Sequence, residues 1–167
     1  MCRPRPAIRT ACPGDEEMLS RLIRQSFKDV ARRFGLTLQN CPKHPSNCSA
    51  QWLKNDFLRG VSYYILELEG QPAGCAAFEL ADPGLGYLER LAVLPPFRCN
   101  GYGLCLVDHV FAAAKARGAK YLSIGIIAGQ TELKHWYQKV GFVEDETRTF
   151  EHLPFAVTFM SCASNSR

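Results

Sequence analysis

The stretch "LAVLPPFRCNGYGLCLVDHV", residues 91–110, decides how the rest of the chain reads. An apolar run ends at Val93, two prolines break it, and Arg98, Gly101 and Gly103 precede a second apolar run. In that second run apolar residues recur at helical spacing as far as Gly118. A strand, a glycine loop and a helix in this order describe an anion site. Glycines let the backbone turn tightly and come close to a ligand. The N–H groups of the loop and first helical turn converge on one point, where the helix dipole favours negative charge. Arg98 adds a fixed positive charge with forked donors that suit phosphate. A pyrophosphate is the expected guest.

Two common pyrophosphate motifs do not fit. A Walker loop needs Gly-Lys-Ser/Thr where this chain has Gly103-Leu104-Cys105. A dinucleotide fingerprint needs a third glycine where Leu106 stands. The run Arg98-Cys99-Asn100-Gly101-Tyr102-Gly103, entered from "LERLAV" and a proline, instead resembles the acetyl-CoA-binding motif of the GNAT-family N-acetyltransferases. Downstream, "WYQKVGF" with Tyr137, Gly141 and Phe142 resembles the family's tyrosine helix running into Gly-Phe. Where the family's usual pattern has Asn and Ala in that helix, this chain has Gln130 and Leu133.

Working outward, acidic Asp15, Glu16 and Glu17 open a helix that carries Leu19, Leu22, Ile23, Phe27 and Val30 and is closed by Gly35. Residues 36–48 hold two prolines and read as a loop, and Ser49 caps a short helix to about Arg59. Two β runs meet near Glu69-Gly70-Gln71-Pro72 as a hairpin, and a third strand follows Asp82-Pro83-Gly84. With residues 6–10 as a first strand, the order reads β-α-α-β-β-β-α-β-α-β-β, a mixed α/β fold. The resemblance implies the acyl-CoA N-acyltransferase fold, a twisted, mostly antiparallel sheet of about seven strands flanked by about four helices. It covers residues 6–160, and the whole of 1–167 is expected to be one domain.

Composition narrows the alternatives. The chain has 167 residues and is 47% hydrophobic, enough for a continuous core. No apolar run approaches the ~20 residues of a membrane span, and "MCRPRPAIRT" lacks the apolar centre of a secretory signal. Eight scattered cysteines, Cys2 among them, are about 5% of the chain, below the ~8–10% of a disulfide scaffold. A soluble, cytoplasmic protein with reduced thiols is expected. Net charge is +4, but residues 21–60 hold eight bases against Asp29 and Asp56. Those bases do not interleave with an aromatic motif, so no nucleic-acid partner is expected.

The resemblance implies direct attack by an amine on the thioester of acetyl-CoA, the cosubstrate, so each chemical need can be sought in the sequence. Arg98, Cys99, Asn100, Gly101, Tyr102, Gly103 and Leu104 match the phosphate loop. Leu91, Ala92 and Val93 match the strand that pairs with the pantetheine amides, as an added strand would. A backbone N–H near Val93 matches the donor to the oxyanion. An alkylammonium loses its proton near pH ~10, so a carboxylate base would help by ~10²–10⁴ fold. Glu89 is the first candidate and Glu79 the second, although Glu89 also reads as a solvated strand residue or as one salt-bridged to Arg90. Tyr137 matches the family tyrosine that protonates the departing thiolate, and it also reads as a packing residue beside Trp136.

The expected acceptor is a primary amine of a small molecule or peptide. The basic stretch argues for an acceptor bearing a carboxylate or phosphate, whereas Glu144, Asp145, Glu146 and Glu151 argue for a cationic one. Cys41, His44 and Cys48 lie within eight residues, but no fourth zinc ligand stands near them and no metal is expected. Cys99, next to Arg98 at a helix start, has a setting suited to a reactive thiol, and His109 reads as structural. A non-catalytic acyl-CoA-binding module of the same fold is the competing class. Family members often pair as homodimers.

Overall fold

The computed structural model describes residues 4–167. Cys2 lies outside them, and the other seven cysteines are free thiols. The elements are β1 (Pro6–Thr10), α1 (Glu16–Arg33), α2 (Ala50–Leu58), β2 (Ser62–Leu68), β3 (Gln71–Asp82), β4 (Leu85–Val93), α3 (Tyr102–Ala116), β5 (Tyr121–Ile127), α4 (Thr131–Val140), β6 (Val143–Arg148) and β7 (Val157–Ala163). Local chemistry sets most of these limits. Beyond α1, the Leu36 N–H reaches back to the Ala31 carbonyl at 2.8 Å, a bond that closes the helix over Gly35. Ser49 Oγ accepts the Trp52 N–H at 3.2 Å and starts α2. The order expected from sequence includes two strands after α4, and the one to which periodicity gave no bounds is β6, all of whose residues are exposed and five of six polar. A strand with no buried face carries no alternation to detect.

The seven strands form one sheet in the order β1-β2-β3-β4-β5-β7-β6, antiparallel except for β4 beside β5. One core lies between the sheet and α3 with α4, around Phe78, Leu106, Phe111, Leu122 and Met160. The other lies under α1 and α2, around Leu19, Ile23, Leu53, Tyr63 and Ile65.

Two irregularities in β4 place the site. Its parallel pairing to β5 lasts only from Leu85–Tyr87 against Tyr121–Ser123, so Leu88–Val93 leave that edge unpaired. Against β3, Cys75 faces Ala92 and Ala77 faces Glu89, so Arg90 and Leu91 together stand opposite Ala76. This is a β-bulge, with Arg90 in the left-handed region at φ 49°. The extra residue resets the alternation. Glu89 shares its face with Ala77 of the α1/α2 core, Arg90 turns to the same face, and Leu91 and Val93 pack on the α3/α4 core.

Candidate active site

Where β4 and β5 diverge, a cavity of about 550 Å³ passes through the sheet. Glu89, Tyr87, Phe27 and the Cys41–Pro45 loop line it on the α1/α2 side, and Leu91, Ile124, Leu133 and Tyr137 on the α3/α4 side. The two candidate proton-transfer groups therefore meet one space from opposite faces of the sheet.

Glu89 has no hydrogen-bond or ion-pair partner among the described residues. Burial raises its pKa, the carboxylates of Glu79 and Asp56 add to the rise, and Arg59 opposes it. Arg90 is not its partner. That guanidinium donates to Asp56 Oδ2 and to Tyr63 Oη and lies 4.7 Å over the Trp52 ring. The alternative of a Glu89–Arg90 pair is thus corrected: the bulge puts both on one face, but Asp56, Tyr63 and Trp52 draw the guanidinium away. Glu79 is also on this face, but Arg59 holds it at 3.1 Å and it stays outside the cavity.

Tyr137 is only 5% exposed, set edge-on to Trp136 at 4.9 Å and Phe142 at 5.3 Å. Packing and lining are both true of it. Burial raises its pKa and keeps the phenol protonated. Its hydroxyl has no hydrogen-bond partner among the described residues and is not sealed off, and Tyr137 lines the cavity.

The phosphate loop differs from expectation in one residue. Arg98 Nη1 donates to Asp29 Oδ2 at 2.5 Å, Nη2 to the Ser26 carbonyl at 2.6 Å and Nε to the Val93 carbonyl at 3.0 Å. The pairing also lowers the Asp29 pKa. Arg98 therefore ties α1 to the end of β4, and its fork is spent. What remains is backbone. The N–H groups from Cys99 to Leu104 find no acceptor among the described residues, and helical bonding begins with Cys105 N–H to the Gly101 carbonyl at 3.1 Å. Cys99 at φ 63° and Gly101 at φ 85° curl the loop that presents these donors. The side chains serve the loop itself: Asn100 Nδ2 donates to the carbonyls of Phe97 and Arg98 at 3.1 and 2.9 Å, and the Tyr102 ring is buried in the core. Cys99 is exposed.

The free edge of β4 is equally specific. Leu94 N–H donates to the Ala73 carbonyl at 2.9 Å. Alternation then aims the polar groups of Leu91 and Val93 into the opening and those of Ala92 towards β3. The Val93 carbonyl is taken by Arg98, which leaves the N–H groups of Leu91 and Val93 as the donors on offer.

The α1 part of the basic stretch and the acidic patch both lie away from the cavity, whereas Lys43 of that stretch lines it. Arg21, Arg24, Lys28 and Arg32 line a second groove outside α1 that shares no residue with it. Glu144 pairs with Lys134 at 2.6 Å, Glu146 with Arg148 at 2.8 Å, and neither Asp145 nor Glu151 lines the cavity. Cys41, His44 and Cys48 are not brought together as a metal-holding group. His109 packs edge-on to Tyr64 at 4.6 Å, and burial lowers its pKa.

The family model described as "Acetyltransferase (GNAT) family" matches residues 24–142, which spans α1 to the Gly-Phe after α4. The chain belongs to this family. Solved structures share its architecture. An N-acetyltransferase from Thermoplasma acidophilum, solved in complex with coenzyme A, superposes with a TM-score of 0.78 at 17% identity, covering 95% of this chain and 99% of that one. A GNAT family acetyltransferase from Elizabethkingia anophelis with acetyl-CoA bound gives 0.68 at 18% identity, over 95% and 97%. An amino-acid acetyltransferase of Pseudomonas fluorescens is 35% identical over 95 residues, 56% of this chain. The chain spans about a fifth of the length of the curated relatives it matches.

Sequence reasoning missed the group that supports Glu89. Asp56, only 2% exposed, accepts from Tyr63 Oη at 2.6 Å, from Arg59 Nη2 at 2.7 Å and from Arg90. A lone aspartate in a short helix gives no signal, since its partners come from β2 and β4. Removing one member leaves Arg90 charged and nearly buried, at a cost of about 3–5 kcal/mol. Asp56→Ala should therefore lower the urea midpoint by far more than an exposed ion pair would. A shift no larger than that for Glu146→Ala, a surface control, would show that Trp52 and Tyr63 alone hold the arginine.

Proposed function

We propose that this chain transfers the acetyl group of acetyl-CoA to a primary amine held in the cavity. One observation carries the reading: a through-sheet opening lies on the unpaired edge of β4 with a carboxylate and a phenol on its opposite faces, and six N–H groups without acceptors among the described residues follow that edge at the start of α3. The N–H cradle suits a pyrophosphate, and the β4 edge suits the amides of an extended pantetheine arm. Acetyl-CoA supplies an activated acyl carbon, and the chain's residues do the rest. Glu89 takes the proton of the incoming ammonium, directly or through water. The Val93 N–H faces the opening where negative charge grows on the carbonyl oxygen. As the C–N bond forms and the C–S bond breaks, Tyr137 gives its proton to sulfur, which a raised pKa keeps available. The nitrogen sheds its second proton to water, and the phenolate regains one from solvent. The free thiols suit a reducing compartment, and we place the protein in the cytoplasm.

Gly101 is open on its Cβ side, so the Cβ that a valine adds meets nothing within 4 Å, but the residue must abandon φ 85°. Calorimetric titration should show acetyl-CoA binding at least ten-fold weaker in Gly101→Val; unchanged affinity would remove the cradle from the reading. Glu89 works ionised, and its pKa is raised, so kcat should fall as pH drops through a value above the ~4.3 of an ordinary glutamate. Glu89→Gln should lose that acid limb and lower kcat by ~10²–10⁴ fold. A limb that persists in the variant assigns it to another group. Tyr137→Phe should lower turnover more than ten-fold while acetyl-CoA affinity stays as in the wild type, a split that a non-catalytic binding module would not produce.

A further inference from the structure

The cavity contains a charge pattern that acetyl transfer alone does not use. Its charged and imidazole groups are Glu89, Arg90, Lys43 and His44, and Arg90 is committed to Asp56. Lys43, exposed on the loop after Cys41, has no ion-pair partner among the described residues. His44 is 6% exposed, edge-on to Phe27 at 5.9 Å. Its Nδ1 accepts the Ser46 N–H at 3.3 Å and lies 2.8 Å from Ser46 Oγ. Burial lowers its pKa, so the ring is neutral, and an accepting Nδ1 puts the proton on Nε2. That N–H has no partner, and the sealed, unsatisfied side-chain polar atom among the described residues is Ser26 Oγ, not this nitrogen. Nε2–H is therefore not sealed within the protein, and His44 lines the cavity.

Resting on the acetyl-transfer reading, we infer that Lys43 and His44 Nε2–H hold a carboxylate of the acceptor, which is an amino acid with an apolar side chain. Lys43 supplies one full positive charge and His44 a neutral donor, which balances a monovalent carboxylate and leaves a phosphate dianion under-neutralised. Glu89 provides the matching negative charge for the ammonium on the same α1/α2 side. Phe27, Leu153 and Phe155 line the same cavity with apolar surface, where a third charge would be stranded.

The test measures acetylation of phenylalanine, phenylalaninamide, phenethylamine and phosphoethanolamine by the wild type, Lys43→Met and Lys43→Arg, with acetyl-CoA binding followed in parallel. Lys43 is exposed, so both variants should fold. The wild type should prefer phenylalanine to its amide and to phenethylamine by at least ten-fold in kcat/KM. Lys43→Met should erase that preference by lowering the phenylalanine value alone, and Lys43→Arg should restore most of it. His44→Phe keeps the edge contact and loses the donor, and should weaken the preference in the same direction. Equal rates on the acid, amide and amine, or a preference that survives Lys43→Met, would overturn the carboxylate corner while leaving acetyl transfer standing. Preference for phosphoethanolamine would reassign the corner to phosphate. No product from any amine despite bound acetyl-CoA would overturn the acetyl-transfer reading and this inference together.

Discussion

Everything in the candidate site depends on β4 parting from β5 after three paired residues. A strand edge without a partner is costly when buried and is normally covered or blunted. Here the opening stays because each strand is held from its other side, β4 by β3 and β5 by β7. The divergence creates the cavity, bares the N–H groups of Leu91 and Val93, and lets one space touch both faces of the sheet. In a continuous parallel ladder Glu89 and Tyr137 would have been separated by backbone.

The bulge in β4 supplies the second half of the geometry. One extra residue turns Glu89 and Arg90 to the same face, which would ordinarily unite them as an ion pair. The Asp56, Tyr63 and Trp52 side chains draw the arginine away instead. The carboxylate is left without a cation in direct contact, in a desolvated setting beside other carboxylates, and so becomes a better proton acceptor. A buried charge network is expensive to assemble, and its return lies in what it withholds from Glu89.

The anion cradle follows a similar division of labour. Arg98 looks like the phosphate ligand but works as a tie between α1 and the β4 terminus, balanced by Asp29. The donors left without acceptors among the described residues are main-chain groups of a left-handed loop and a helix start, whose directions are set by φ and ψ and need no side-chain ordering.

The sequence by itself determined the element order, the α1 and α2 boundaries and the strand–loop–helix of residues 91–110, because periodicity, caps and glycines act within a few residues. It also singled out Glu89 and Tyr137 and the loop from Cys99 to Leu104, through spacing that resembles a known family. Only the tertiary structure decided which face Glu89 meets, that Arg98 is internally paired, that the basic α1 face and the acidic β6 lie away from the cavity, and that Lys43 and His44 enter it. Those outcomes depend on a register shift in β4 and on contacts between residues tens of positions apart. No local pattern encodes them, since moving a strand by one residue reverses every side chain it carries.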